Sequence, residues 1–353
     1  MIVTIKSEVF SDSKNNSDLN DLMHFFRKGK HRMHLRKASD FDAFDNSQWK
    51  RQLSRSDIDV LKEGIGRIDK KEIIVSQLSD NTKFNIKEAY HFLNQNLRII
   101  LEQEEYEKPF ILKIIEHFDS SDELISALQN GFLEFYNGAG SNSESILRTR
   151  ITRDSSTNKN FSAQLNKYLR FFELKDSDRE YCLNCDEYPE SKSRFLKDNK
   201  IPHHILYKRE KENYMPDRIF DSFLQTAKKN DKKKEFATYY LKLTHPQKDF
   251  LDIEKGFSKR VINGREIKDR GSLSSEVQQL YKSLSDEEYR KIGLGLEMSN
   301  FKSDFSNYFN QVSREDLLKR IKHQPKLTSR VNSDDKTERN EFEHIIHEIK
   351  YLL

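Results

Sequence analysis

Five carboxylates follow directly on short apolar runs, a placement suited to holding a divalent cation. Glu102 closes Leu97–Leu101 (LRIIL), Asp176 and Asp178 follow Tyr168–Leu174 (YLRFFEL), and Glu210 and Glu212 follow His203–Tyr207 (HHILY). Residues two apart on an extended chain point to the same side, so Asp176 and Asp178 can present both carboxylates to one point. Glu102, from a neighbouring strand, supplies a third. Converging carboxylates repel one another unless a cation compensates them. Mg²⁺ suits the task, with Mn²⁺ as a substitute. It takes hard oxygen ligands, keeps several waters, and binds through few protein carboxylates plus substrate phosphate oxygens. The chemistry favoured is phosphodiester cleavage, in which metal ions activate water and clamp the attacking and leaving oxygens. A lone Asp-x-Asp after a strand is commonly a helix cap. The repeated placement at one end of successive strands is what argues for a site.

Neighbouring residues extend this reading. Asn137-Gly138-Ala139-Gly140 follows a further apolar run, Phe132–Tyr136 (FLEFY). Gly138 and Gly140 either let backbone N–H groups approach a phosphate or form a plain tight turn. The pattern is not GxxxxGK[ST], so it is no nucleotide-hydrolysing P-loop. Lys208 and Arg209 adjoin the last acidic pair, where they neutralise a phosphate or balance Glu210 and Glu212; the phosphate role is favoured. Cys182 and Cys185 form a lone CxxC, expected as two free thiols because a structural zinc needs four ligands. The basic run Arg27–Lys37 and the lysines 228, 229 and 232–234 are solvated faces or tracks for a nucleic-acid backbone.

The elements that must position these groups follow from periodicity. Strands at 97–101, 132–136, 168–174 and 203–207 alternate with helical stretches such as Pro109–Phe118, which predicts an α/β fold with a mainly parallel, Rossmann-like sheet flanked by helices. In such a sheet the functional crevice lies beyond the C-terminal strand ends. Residues 1–85 read as a mixed region with a helix at Leu19–Phe26 and a strand at Glu72–Leu78, 86–220 as the α/β domain, and 221–353 as a helical region to the end. The last helix, Glu341–Leu352, aligns Phe342, Ile345, Ile346, Ile349 and Leu352 in one stripe, either core or a docking face. With 62 Lys+Arg against 58 Asp+Glu, the net charge of +4 is too weak to prove a polyanionic partner. No apolar run approaches the ~18 residues of a membrane span, and two cysteines exclude a disulfide scaffold, so a cytoplasmic location is expected.

Glutamate after the first strand, a glycine-containing turn after the second, Asp-x-Asp after the third and Arg209-Glu210-Lys211-Glu212-Asn213-Tyr214 after the fourth together resemble a Toprim domain. The nearest resemblance is to the OLD (overcoming lysogenization defect) nucleases and related Toprim nucleases of anti-phage defence. It covers about residues 86–220. The resemblance implies that Glu102 is the first catalytic glutamate and Glu107 the second acidic position of that motif. Asp176 and Asp178 would be metal ligands, and Glu212 the later acidic ligand. It also implies a nuclease cleaving DNA or RNA, an ABC-type ATPase sensor as partner, and self-association or docking through the C-terminal helices. The rival expectation is a non-catalytic Toprim-shaped subunit that grips nucleic acid or a partner, supported by Gln103 where the family motif has glycine. A metal-dependent phosphatase is a third.

Overall fold

In the computed structural model, residues 1–64, 70–139, 143–149, 165–182, 190–226, 232–261, 264–296 and 301–353 are described. The N-terminal part runs β1 (Ile2–Ile5), α1 (Asn16–Arg27), β2 (Arg32–His34), β3 (Glu72–Val75) and β4 (Lys83–Phe84). These strands form a parallel sheet of order β2-β1-β3-β4, with Ile2 opposite both Arg32 and Glu72. The expected mixed region is thus organised around a parallel sheet of its own. β3 falls within the expected strand Glu72–Leu78, whereas β1, β2 and β4, of four residues or fewer, are too short for periodicity to single out. Val3, Ile5, Ile73 and Val75 bury one face against Leu22 and Met23 of α1.

After α2 (Ile86–Asn94) the chain enters the second sheet through β5 (Leu97–Leu101), α3 (Glu104–Phe118), β6 (Leu133–Asn137), β7 (Phe171–Lys175), α4 (Glu190–Asp198) and β8 (His203–Ile205). The order is β6-β5-β7-β8, parallel throughout. Two parallel-only four-stranded sheets flanked by helices make the chain α/β, consistent with a Rossmann-like fold. Burial on both faces explains why β5 is almost wholly apolar. Leu97, Ile99 and Leu101 face Phe110, Ile111 and Ile114 of α3, whereas Ile100 faces Leu147, Phe195 and Leu196 on the other side.

Two expectations need correction. The helical stretch expected from Pro109 starts five residues earlier, at Glu104, so that Pro109 lies inside α3. Glu104, Glu105 and Glu107 supply the negative charge that a helix N-terminus favours, which draws the start upstream. The C-terminal part is also not helical throughout. Beyond α5 (His245–Phe250), β9 (Ser258–Val261) and β10 (Gly264–Ile267) pair as an antiparallel hairpin, before α6 (Phe301–Phe309), α7 (Arg314–Ile321) and α8 (Glu341–Leu352).

α8 starts at a capping box, with Asn340 Oδ1 accepting from the Glu343 N–H at 3.0 Å and Glu343 returning to the Asn340 N–H at 3.2 Å. Its apolar stripe is core. Phe342 packs on Phe110, Phe118 and Tyr214, with ring centroids 5.3–6.1 Å apart. Each such side chain contributes roughly 1.5–3 kcal/mol when fully buried. Among the described residues no helix is long and apolar enough to cross a membrane.

Candidate metal centre

β5 and β7 are hydrogen-bonded neighbours with Ile100 opposite Glu173, so the residues just past their C-terminal ends stand side by side. Glu102 leaves β5 there and Asp176 leaves β7. The first turn of α3 then folds a third carboxylate back over this rim. Glu107 Oε2 accepts from the Glu102 N–H at 2.9 Å and Oε1 from the Gln103 N–H at 3.2 Å, satisfying backbone donors that the helix start leaves open. Glu102, Glu107 and Asp176 each bring an oxygen within 4.8 Å of the others, Glu107 and Asp176 being buried and Glu102 half-buried. Asp176 Oδ1 also accepts the Lys211 N–H at 3.1 Å, tying the loop after β8 to the same rim.

That loop delivers a cation. Lys211 Nζ lies 3.3 Å from Glu107 Oε1, 3.7 Å from Asp176 Oδ2 and 3.5 Å from Glu212 Oε1. Burial opposes its charge, but the Glu212, Asp176 and Glu107 carboxylates hold its pKa well above the usual lysine value. Glu107 is pushed up to about 7, by burial first, with the Asp176 and Glu102 charges adding and Lys211 opposing. Burial with Asp252, Glu212 and Asp176 nearby pushes Glu210 up to about 8, and burial raises Glu212. The donor set is all hard oxygen, carries excess negative charge, and accommodates a positive group at its centre. It could hold a metal ion.

The expected residues are distributed unevenly over this rim. Asp178 is exposed and outside the three-oxygen group; its φ of 52° turns the chain, so the extended i, i+2 geometry expected for the Asp176–Asp178 pair does not form. The Asp178 N–H instead donates to the Arg209 carbonyl at 2.9 Å, linking the ends of β7 and β8. Glu212 reaches the cluster through Lys211. Lys208 does not face a phosphate position: its side chain is fully buried, its ammonium paired with Asp249 and set over the Tyr214 ring. Arg209 is half-buried between Glu210 at 3.5 Å and Asp252 at 3.4 Å, the balancing role rather than a free phosphate contact.

Gly138 has a packing role. A Cβ there would lie 2.7 Å from the Leu101 carbonyl oxygen, and its N–H already donates to that oxygen at 2.6 Å, so it is not presented to a phosphate. Gly140, Cys185, Lys228 and Lys229 lie outside the described residues. Cys182 is disulfide-bonded, which overturns the expectation of free thiols. In the basic run, Met33 is core, His31 is buried, and Arg27 pairs with Asp57 at 2.7 Å, so it is not one continuous solvated track. Sequence reasoning missed Lys211 and Asp249. The alternation Glu210-Lys211-Glu212 is the signal that could have drawn attention to the lysine.

A pH effect follows for the metal-free protein. The folded-state pKa of Glu107 is raised, so its contribution to stability is full below about 4.5 and is lost as pH rises towards about 7. Glu107→Gln cannot titrate. Its stability relative to wild type is expected to rise by roughly 1–3 kcal/mol between about pH 5 and 8. Urea unfolding of both proteins in EDTA at the two pH values measures this; parallel behaviour would refute it.

No family model, curated protein or solved structure matches the chain.

Proposed function

We propose that the chain is a divalent-metal-dependent nuclease of Toprim-like fold that cleaves phosphodiester bonds in DNA or RNA. The observation that carries this reading is the meeting of Glu102, Glu107 and Asp176, from β5, α3 and β7, at the C-terminal rim of a parallel sheet. Mg²⁺ is the metal proposed, because the donors are carboxylate oxygens and the half-open Glu102 side leaves room for water and substrate. When bound, it supplies positive charge against the phosphate and lowers the pKa of water. The chain's own groups have separable tasks. Glu107 couples the rim to the backbone of Glu102 and Gln103, Asp176 fixes the Lys211 loop, and Lys211 neutralises the carboxylates until a metal takes its place. An effector role in anti-phage defence, with an ABC-type ATPase partner, rests on the Toprim resemblance.

One observation favours a second reading. Lys211 already compensates the cluster, as a non-catalytic nucleic-acid or partner-binding subunit would require. Supercoiled plasmid and a structured RNA, each incubated with protein and Mg²⁺ or Mn²⁺, separate the two. Cleavage by wild type, reduced at least about 100-fold in Asp176→Asn and Glu102→Gln and abolished by EDTA, is expected. Cleavage that survives both substitutions would refute the site, and an inert wild type that still retards nucleic acid on a gel would favour the binding subunit.

A further inference from the structure

A cavity of about 230 Å³ opens where the two sheets meet, at the end of the second sheet opposite the acidic rim. It is bounded by the residues leading into β3, β7 and β8. The five-residue strands β5 and β7 therefore separate it from Glu102 and Asp176 by about 16 Å. Buried Phe84, Phe92 and Phe171 form the apolar part of walls that also carry Asn81, Thr82 and Asn199. The charge is basic: Lys71, Lys167 and Lys200 line it against a single acidic residue, Glu72. That glutamate is engaged elsewhere, by Arg36 at 2.9 Å and by the Thr4 hydroxyl. Lys167 is likewise occupied, its ammonium donating to the Asp80 carbonyl at 2.8 Å and the Lys83 carbonyl at 2.5 Å.

Lys71 differs. Its backbone is pinned, the N–H donating to the Tyr351 carbonyl of α8 at 2.8 Å and the carbonyl accepting from Ile2 at 3.0 Å. The side chain is half-buried at the cavity wall, and among the described residues no acidic side chain pairs with it. Burial, with the charge of Arg170 nearby, pulls its ammonium down to about 8. A half-buried cation without a paired acid is only partly solvated, a cost that its pinned backbone keeps it from escaping by turning away. An anion entering the cavity would relieve that cost, and the aromatic walls would take an apolar body.

We propose that this cavity is a binding site for a small organic anion with a flat apolar body, whose charged group pairs with Lys71 while its body lies among Phe84, Phe92 and Phe171. Pockets for drug-sized ligands run to ~300–1,000 Å³, so the space suits a single ring bearing a carboxylate or phosphate and excludes a polymer. Carboxylate and phosphate present the same charge to the lysine, and the probes tell them apart.

The test titrates the full-length chain, in EDTA so that the metal centre plays no part, with benzoate, phenyl phosphate and the neutral benzyl alcohol, followed by calorimetry or ligand-observed NMR. At least one anion is expected to bind in the range of about 1 mM or tighter, and benzyl alcohol at least tenfold more weakly. Lys71→Met should remove that preference while melting no lower than wild type, since it deletes a half-buried charge that no acidic side chain pairs with. Lys71→Gln provides the same comparison with a polar side chain. The proposal is overturned if neither anion binds wild type at about 10 mM, if the alcohol binds as tightly as the anions, or if the lysine variants bind them unchanged.

Discussion

Lys211→Met is expected to cost the metal-free protein about 3–5 kcal/mol and to make its stability strongly dependent on Mg²⁺. In wild type the ammonium lies within 3.3–3.7 Å of carboxylate oxygens of Glu107, Asp176 and Glu212, all three side chains being buried. Deleting the cation while leaving the acids removes the attraction and keeps the desolvation. Protonation of Glu107, already raised to about 7, limits the loss but cannot cancel it. Mg²⁺ at a hundred times its Kd then stabilises the folded variant by about 2.7 kcal/mol through mass action alone. Wild type gains less from the same concentration, because its ammonium must first yield the position. Chemical unfolding of both proteins in EDTA and in Mg²⁺ gives the four values required. A variant as stable as wild type in EDTA would show that the lysine does not hold the carboxylates together. An identical Mg²⁺ response in both would show that lysine and metal do not share the position.

The parts of this centre that were legible in the sequence are those set by local pattern. Leu97–Leu101 is apolar, short and followed by Glu102, and it forms β5 with those bounds. Asp176 follows β7 directly and reaches the rim as its position after a strand suggests. The rest depends on contacts remote in sequence. The left-handed turn at Asp178 is open to aspartate without leaving a mark on composition, yet it undoes the alternation that an extended chain would give. The run Lys208–Glu212 shows which charges are present but not which way each turns. Lys208 is drawn inward by Asp249, 41 residues later, while Lys211 is drawn to Glu107, 104 residues earlier. The N-terminal sheet was hidden for a related reason, since β1 lies between β2 and β3 and becomes a sheet only through crossovers that periodicity does not encode.

Asp249→Ala is expected to destabilise the protein by about 3–5 kcal/mol through charge alone, without touching the acidic rim directly. Asp249, on α5, is buried, accepts from the Lys208 ammonium and His323 Nε2, and forms an ion pair with the Arg320 guanidinium at 3.6 Å. These hold its pKa below the usual carboxylate value despite burial. Its carbonyl also accepts the Arg209 N–H at 2.9 Å, and Arg320 donates to the Asn213 carbonyl at 2.7 Å. One carboxylate thus anchors the loop that carries Lys211 and Glu212 to α5 and α7. Alanine would leave the Lys208 ammonium fully buried without its partner, whereas Arg320 retains Asn213 and an Asp217 oxygen at 3.7 Å. The cost should therefore fall mainly on Lys208. Combining Asp249→Leu with Lys208→Met removes both charges and fills the space, so the double variant should recover most of the loss. A double-mutant cycle by urea unfolding measures the coupling directly. A single-variant loss under about 1 kcal/mol, or coupling under about 0.5 kcal/mol, would show that the loop is held by packing instead of by this pair.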